Sequence, residues 1–105
     1  MNVTKKDISA IFGVSLAAIE QINNKQLFMV YIYTDELGYQ KILISYRTII
    51  GVYDDEMWHI TTKKYSQTTS SQITSFSSSR WGRIKRVNND TLVSMLPASL
   101  QYYAK

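Results

Sequence analysis

The strongest restriction on the fold comes from one apolar run, LFMVYIYT at residues 27–34. The run is rich in β-branched and aromatic side chains, which fit the pleated surface of a sheet. It is also too short, and too apolar on all sides, to be a surface helix. The run therefore predicts a β-strand, and this strand needs neighbours with which to pair.

Neighbouring strands follow directly in the sequence. Residues 35–38 are of turn-forming types, and QKILISYRT at 40–48 then alternates apolar and polar side chains, so that half of this strand is expected to face water. An extended run continues over 49–53, a second turn falls at 54–56, and residues 57–62 return as a further strand. Because connections this short join antiparallel strands, residues 26–62 predict an antiparallel meander of three or four strands.

The first part of the chain, residues 1–25, has a helical pattern. Thr4 and Asp7 have the spacing of a capping box, and Gly13 interrupts the apolar positions that follow. Ser15 is then placed to cap a second helix. We therefore expect a short helical pair with a tight bend at Gly13, and we expect these side chains to be buried against the sheet: Ile8, Phe12, Leu16, Ile19 and Ile22.

The last part, residues 63–105, follows a sharp change of composition, since twelve of the nineteen residues from Thr61 to Ser79 are Ser or Thr. Ile73 and Phe76 are nevertheless spaced as on a helix and predict a short helix near 70–77. A basic strand is expected over 80–87, and Asp90 is placed to cap a C-terminal helix. The whole chain, 1–105, thus predicts a single α+β domain with its helices on one face of the sheet.

Composition excludes several classes of function. The chain has no cysteine and a single histidine, His59, so it offers no thiolate metal site, no thiol nucleophile and no second imidazole to share a metal. We therefore expect no catalytic residues, no metal and no cofactor. No apolar stretch is long enough to span a membrane, and the N-terminus lacks the pattern of a signal peptide, so we expect a cytoplasmic protein with no membrane partner.

One segment resembles the helix-turn-helix of DNA-binding regulators. The residues that carry this resemblance are Ile8, Ser9, Phe12, Gly13, Val14, Ser15, Ile19 and Ile22. The glycine permits the sharp turn and the small residue allows the two helices to approach. The second helix would begin near Ser15, but its outward positions have no Arg or Lys for phosphate contacts and include Glu20. A helical hairpin that packs on the sheet explains the same pattern.

A second segment is similar to an uncharacterised family of small proteins from bacteriophages and other mobile elements. The family has a Ser-Tyr-x-Thr strand followed by a Tyr-Ser-x-Thr-Thr-Ser-x-x-Ile segment, and the matching residues are Ser45, Tyr46, Thr48, Tyr65, Ser66, Thr68, Thr69, Ser70, Ile73 and Phe76. The resemblance implies a strand-strand-helix unit and a phage or prophage origin. It implies no activity.

Charge is distributed unevenly along the chain. The net charge is +4, and no acidic residue occurs between Met57 and Asn89, a region in which Tyr65 and Trp81 are interleaved with six cations. Such a face can bind phosphates and stack bases, or it can simply be solvated. The candidate residues for binding a partner or nucleic acid are Lys63, Lys64, Tyr65, Arg80, Arg83, Lys85 and Arg86. The hydroxyl groups of Ser66, Thr68 and Thr69 are candidate anion contacts, although capping hydrogen bonds explain them equally.

Two functional hypotheses follow. The first is a non-enzymatic, phage-derived binding protein that occupies a host protein or ribonucleoprotein, for example as an inhibitor of a host defence nuclease. The second is a small DNA- or RNA-binding regulator that uses the basic C-terminal half. The target and the oligomeric state are open at this stage.

Overall fold

The structure is a computed structural model that describes residues 2–22, 25–54, 56–63 and 83–104. Two α-helices, six strands and two short 3-10 segments make up this part of the chain. In chain order they are α1 (Lys5–Phe12), a 3-10 turn (Leu16–Ala18), β1 (Ile19–Gln21), β2 (Leu27–Thr34), β3 (Gly38–Ser45), β4 (Thr48–Asp54), β5 (Met57–Thr61), β6 (Arg83–Val87), α2 (Asn89–Ser94) and a C-terminal 3-10 helix (Ala98–Ala104).

The sheet corrects the expected fold class. It is a six-stranded mixed sheet in the order β1-β2-β3-β4-β5-β6, not an antiparallel sheet of three or four strands. The first five strands are antiparallel neighbours, whereas β6 pairs with β5 in parallel, with Met57 beside Arg83 and Thr61 beside Val87. A parallel pair requires a connection of a dozen residues or more, and residues 62–82 supply this length.

The prediction of an N-terminal helical pair is also wrong. The capping box of Thr4 and Asp7 does begin α1, and Gly13 ends it with φ 65°, a conformation that favours glycine. After Gly13, however, only a single 3-10 turn forms, and Ile19 then enters β1 and pairs with Val30. The second helix of a helix-turn-helix is therefore not formed by residues 15–22.

The other predicted helices have different outcomes. The short helix near 70–77 lies outside the described residues. The C-terminal helix is shorter than expected, because α2 ends at Ser94, and its N-cap is Asn88 rather than Asp90. The Asn88 side chain accepts a hydrogen bond from the backbone N–H of Thr91 at 2.8 Å.

Both faces of the sheet carry apolar clusters. On one face, α1, α2 and the C-terminal 3-10 helix pack against the strands and form what we call the helix-side core, with the buried residues Val3, Ile8, Phe12, Ile19, Phe28, Val30, Ile32, Ile42, Ile44, Ile49, Val52, Val87, Leu92, Leu96, Leu100 and Ala104. On the opposite face lies a second core of Ile22, Leu27, Met29, Leu43, Ile50, Trp58 and Ile60. The expectation that half of β3 faces water is therefore wrong, since residues 42–45 are all buried.

A β-bulge in β4 serves both cores. Ile44 pairs with Ile49 but Leu43 pairs with Gly51, so Ile50 is an additional residue in β4. Ile49 consequently enters the helix-side core and its neighbour Ile50 the second core. A Cβ atom on Gly51 would lie 3.3 Å from the Cβ of Leu43, so glycine allows the strands to approach here.

The turn between β3 and β4 contains the Ser-Tyr-x-Thr motif. Ser45 pairs with Thr48, which leaves Tyr46 and Arg47 as the two turn residues, and Tyr46 has φ 56°. The Tyr46 N–H donates to the carbonyl of Gln26 at 2.9 Å, and the side chain packs against the helix-side core. These contacts hold a non-glycine residue in the left-handed region.

The start of α1 gives a prediction about pH. Asp7 accepts a hydrogen bond from the Thr4 backbone N–H at 2.8 Å, and this bond, the Thr4 hydroxyl and the charge of Arg47 lower the pKa of the Asp7 carboxyl below its ordinary value. Because the pKa is lower in the folded state, the stabilisation is present above the ordinary carboxyl range and is lost as pH falls through the folded pKa.

We therefore expect wild type to be more stable than Asp7→Asn at neutral pH, and we expect this difference to shrink as pH falls below about 4. Urea denaturation at a series of pH values measures it. The same difference in stability at every pH would show that the Asp7 charge does not stabilise α1.

Candidate partner-binding surface

The described basic candidates lie at one edge of the sheet. Arg83, Lys85 and Arg86 belong to β6, the last strand in the sheet order, and Lys63 follows β5. All four residues are exposed. The remaining candidates, Lys64, Tyr65, Arg80, Ser66, Thr68 and Thr69, lie outside the described residues.

Strand alternation divides the β6 cations between the two faces of the sheet. Arg83 and Lys85 pair with Met57 and His59, whereas Arg86 pairs with Ile60, which belongs to the second core. Because side chains at successive positions of a strand point to opposite faces, Arg86 is directed away from the other two. The three cations of β6 therefore do not converge on a single face.

Arg86 also has a structural role. Its guanidinium donates to the carbonyl of Thr61 at 2.8 Å, next to its position on β6. The hydroxyl of the buried Thr61 donates to the side-chain carbonyl of Asn89, and the Asn89 amide donates to the carbonyl of Ala104 at 2.7 Å. This network ties β5, β6 and α2 to the C-terminal 3-10 helix.

Charges on an edge strand have a further structural explanation. An edge strand presents backbone groups that can pair with another chain, and Lys or Arg side chains on the edge disfavour such pairing. The cations of β6 match this pattern, since three of its five residues are basic.

A different surface emerges on β2 and β3, which we call the tyrosine surface. It consists of Tyr31 and Tyr33 on β2 and Tyr39 on β3, which are 48%, 58% and 85% exposed. Tyr33 pairs directly with Tyr39, and the two ring centroids lie 4.8 Å apart with the rings tilted by 55°. The register places all three side chains on the face of the second core, beyond its edge.

Lys41 borders the tyrosine surface. It pairs with Tyr31 across β2 and β3 and with Tyr53 across β3 and β4. Its ammonium nitrogen lies 4.4 Å from the centroid of the Tyr53 ring, within the range of a cation–π contact. The Tyr53 ring contacts Trp58 in turn, with centroids 5.4 Å apart. Lys41 thus lies between the tyrosine surface and Tyr53, whose ring packs on the second core.

A groove of about 320 Å³ opens beside the same strand. Its floor is the end of β2, residues 31–34, and its walls are the Phe12–Ser15 segment with Ala18 on one side and Ser99 with Leu100 on the other. Phe12, Ile32 and Leu100 are buried members of the helix-side core. The groove and the tyrosine surface therefore meet at Tyr31 and Tyr33.

Sequence reasoning missed this surface. The run LFMVYIYT is apolar enough to predict a strand buried along its length, yet its last tyrosines stand at alternate positions. The alternation of these tyrosines was the one available signal, since alternate positions of a strand share a face.

The described part of the chain contains a single histidine. His59 is half-buried on β5, and its buried Nδ1 atom has no hydrogen-bond partner among the described residues. No group of three His, Asp or Glu side chains among residues 2–22, 25–54, 56–63 and 83–104 is arranged to hold a metal ion. Within the same residues, no helix is long and apolar enough to cross a membrane.

Comparison with known proteins gives one family. The model of a family described as "Family of unknown function (DUF8033)" matches residues 14–90, which include the whole sheet from β1 to β6. No curated protein and no solved structure matches the chain.

Proposed function

We propose that this chain, which belongs to the DUF8033 family of unknown function, is a non-enzymatic binding protein that acts by occupying a macromolecule of a bacterial host. The tyrosine surface is the observation that carries the proposal. Three large aromatic side chains are exposed on a sheet in which most other apolar residues are buried. Exposed apolar clusters of this kind mark interaction sites.

Tyrosine is well suited to this task. It adds large contact area with few rotatable bonds, and it is enriched among the residues that dominate binding energy at protein interfaces. The contact between Tyr33 and Tyr39 already orders both rings before a partner arrives. Less side-chain entropy is lost on binding as a result.

The class of partner follows from the charge of the tyrosine surface and from the similarity of the chain to bacteriophage proteins. The stretch of β2 that carries Tyr31 and Tyr33 has no charged residue, and Lys41 is the cation paired with it, so these described residues do not form the run of positive charge that a phosphate backbone requires. A host protein, or the protein part of a ribonucleoprotein, is the better match. The similarity to bacteriophage and mobile-element proteins favours an inhibitor of a host defence system or host enzyme.

The absence of enzymatic activity is part of the proposal and rests on the sequence. With one histidine and no cysteine, the chain offers no thiol nucleophile and no second imidazole to act beside His59.

The second candidate function is DNA or RNA binding through β6. The three exposed cations of this strand, together with Lys63, favour it. The division of these cations between two faces of the sheet weighs against nucleic-acid binding, because a single bound strand of DNA or RNA would contact only some of them.

The proposal is tested with a host partner identified by in-cell crosslinking and then purified. We expect Tyr33→Ser combined with Tyr39→Ser to raise the Kd about 30-fold or more, the size of a typical hot-spot loss. The matched control, Arg83→Ser combined with Lys85→Ser, is expected to change the Kd less than about fivefold at physiological salt, as rim charges do.

The nucleic-acid candidate predicts the reverse pattern. If the β6 cations contact about three phosphates, the affinity for a short single-stranded DNA or RNA should fall with salt on a log–log slope of roughly −2 to −3. Arg83→Ala should flatten that slope by about one unit if its guanidinium contacts a phosphate. Micromolar or tighter binding at physiological salt, weakened by Arg83→Ala and unchanged by the tyrosine substitutions, would replace our proposal with this one.

A further inference from the structure

The open edge of β2 is the starting point. The β1 ladder reaches only from Gln21 opposite Phe28 to Ile19 opposite Val30, whereas β2 continues to Thr34. Over residues 31–34, β2 is therefore paired on the β3 side but passes the end of β1. This four-residue stretch forms the floor of the groove.

The ladder fixes which backbone groups face the open edge. The Ile22 N–H donates to the carbonyl of Leu27 at 2.8 Å, so position 27 hydrogen-bonds toward β1. In antiparallel pairing these positions alternate, which assigns 29, 31 and 33 to the same side. The Tyr46 N–H donates to the carbonyl of Gln26, which assigns the even positions to β3. The backbone N–H and carbonyl of Tyr33 thus point into the groove, beyond the last β1 pair.

The two edges of the sheet differ in chemistry. The outer strand β6 has three cations among five residues, whereas the open stretch of β2 reads Tyr-Ile-Tyr-Thr and has no charge. Charges protect an edge against the addition of another strand, and the open β2 stretch lacks them. An unprotected strand edge beside an apolar groove is the geometry used for recognition by strand addition.

We propose that an extended segment of the partner protein adds as a short strand to residues 31–34 of β2, in line with β1. The segment would exchange backbone hydrogen bonds with Tyr33. Its side chains at alternate positions would enter the groove against Phe12 and Leu100, and the intervening side chains would cover Tyr31 and Tyr33. The recognised segment therefore has a period-two pattern with apolar residues on the groove side.

This inference rests on the proposed function, since it names the part of the partner that binds. It adds a requirement that the tyrosine surface alone does not make, because strand addition depends on backbone hydrogen bonds and on an open groove.

The test uses a library of displayed linear peptides of about ten residues, long enough to span a strand, selected against the intact protein. We expect the selected peptides to share a period-two apolar pattern and to slow hydrogen exchange of the Tyr33 amide. We also expect N-methylation at every second peptide amide to weaken binding about tenfold or more in one register and far less in the other, as backbone pairing requires.

A matched pair of variants tests the groove. Ala18 lines the groove, whereas its neighbour Ala17 is exposed and does not. We expect Ala18→Lys to weaken peptide binding about tenfold or more by placing a charge where the strand docks, and Ala17→Lys to change it less than about twofold. The exchange measurement on the wild-type protein needs neither variant, so it decides the matter even if Ala18→Lys folds poorly.

Failure of strand addition is distinguishable from failure of the proposed function. Selection of no peptide, peptides indifferent to N-methylation, or an unchanged exchange rate at Tyr33 would overturn strand addition. If the tyrosine substitutions still weaken the host partner, the proposed function stands without it. If they do not, the proposed function falls as well.

Discussion

Replacement of Trp58 by alanine is expected to lower the free energy of unfolding by about 3–5 kcal/mol, as for other buried aromatic truncations. The indole is 1% exposed, belongs to the second core and contacts the Tyr53 ring edge-on. Its removal takes away buried apolar area and leaves a cavity in the second core, beside Tyr53 of β4 and Ile84 of β6. Urea denaturation measures the loss.

The control for this prediction is another aromatic residue, Tyr102, which is 77% exposed. Tyr102→Ala is expected to cost about 1 kcal/mol or less, since little beyond an edge contact with Tyr103 is removed. Equal losses for the two variants would show that the second core does not contribute to stability.

The second large effect on stability is expected from alanine substitution at Ile19, and its comparison with Leu16 distinguishes the observed strand from the expected helix. Ile19 is buried in the helix-side core as part of β1, and Leu16 is 47% exposed in the 3-10 turn. Ile19→Ala should cost about 2–5 kcal/mol, as for other buried aliphatic truncations. Leu16→Ala should cost less than about 1 kcal/mol, in the range of surface substitutions.

The helical pair makes a different prediction for the same two variants. On a second helix, both side chains would lie on the buried stripe, and both substitutions would be costly. Similar losses of stability for the two variants, each above about 2 kcal/mol, would therefore support the helical pair instead of β1.

Local signals predicted the elements that depend on local chemistry. The strand over 27–34, the turn after it and the capping box at Thr4 are confirmed, because each is specified by residues within a few positions. The N-terminal segment misled because Ile19 and Ile22 have helical spacing. In the structure they lie on opposite faces of the sheet, one in each core, and a sheet buried on both faces permits this spacing as well.

Long-range pairing explains the remaining errors. Nothing near Arg83 indicates that it will lie beside Met57 in a parallel ladder, since that partner is far away in sequence. The same ladder separates Arg86 from Arg83 and Lys85, so a charge cluster in the sequence does not become a cluster on one face. The tyrosine surface depends on the mismatch in length between β1 and β2, which no local pattern specifies.

The order of the strands has a consequence for how the chain folds. From β1 to β5 each strand pairs with the next one in sequence, so these pairings close short loops and can form early. The pairing of β6 with β5 must close a much longer loop. The chain entropy of this loop is lost before the contacts between the two strands can offset the loss. We therefore expect β6 to dock last, onto a meander that already exists. Until then the edge of β5 is open, and β6 is the strand that seals it and brings its charges to the finished edge.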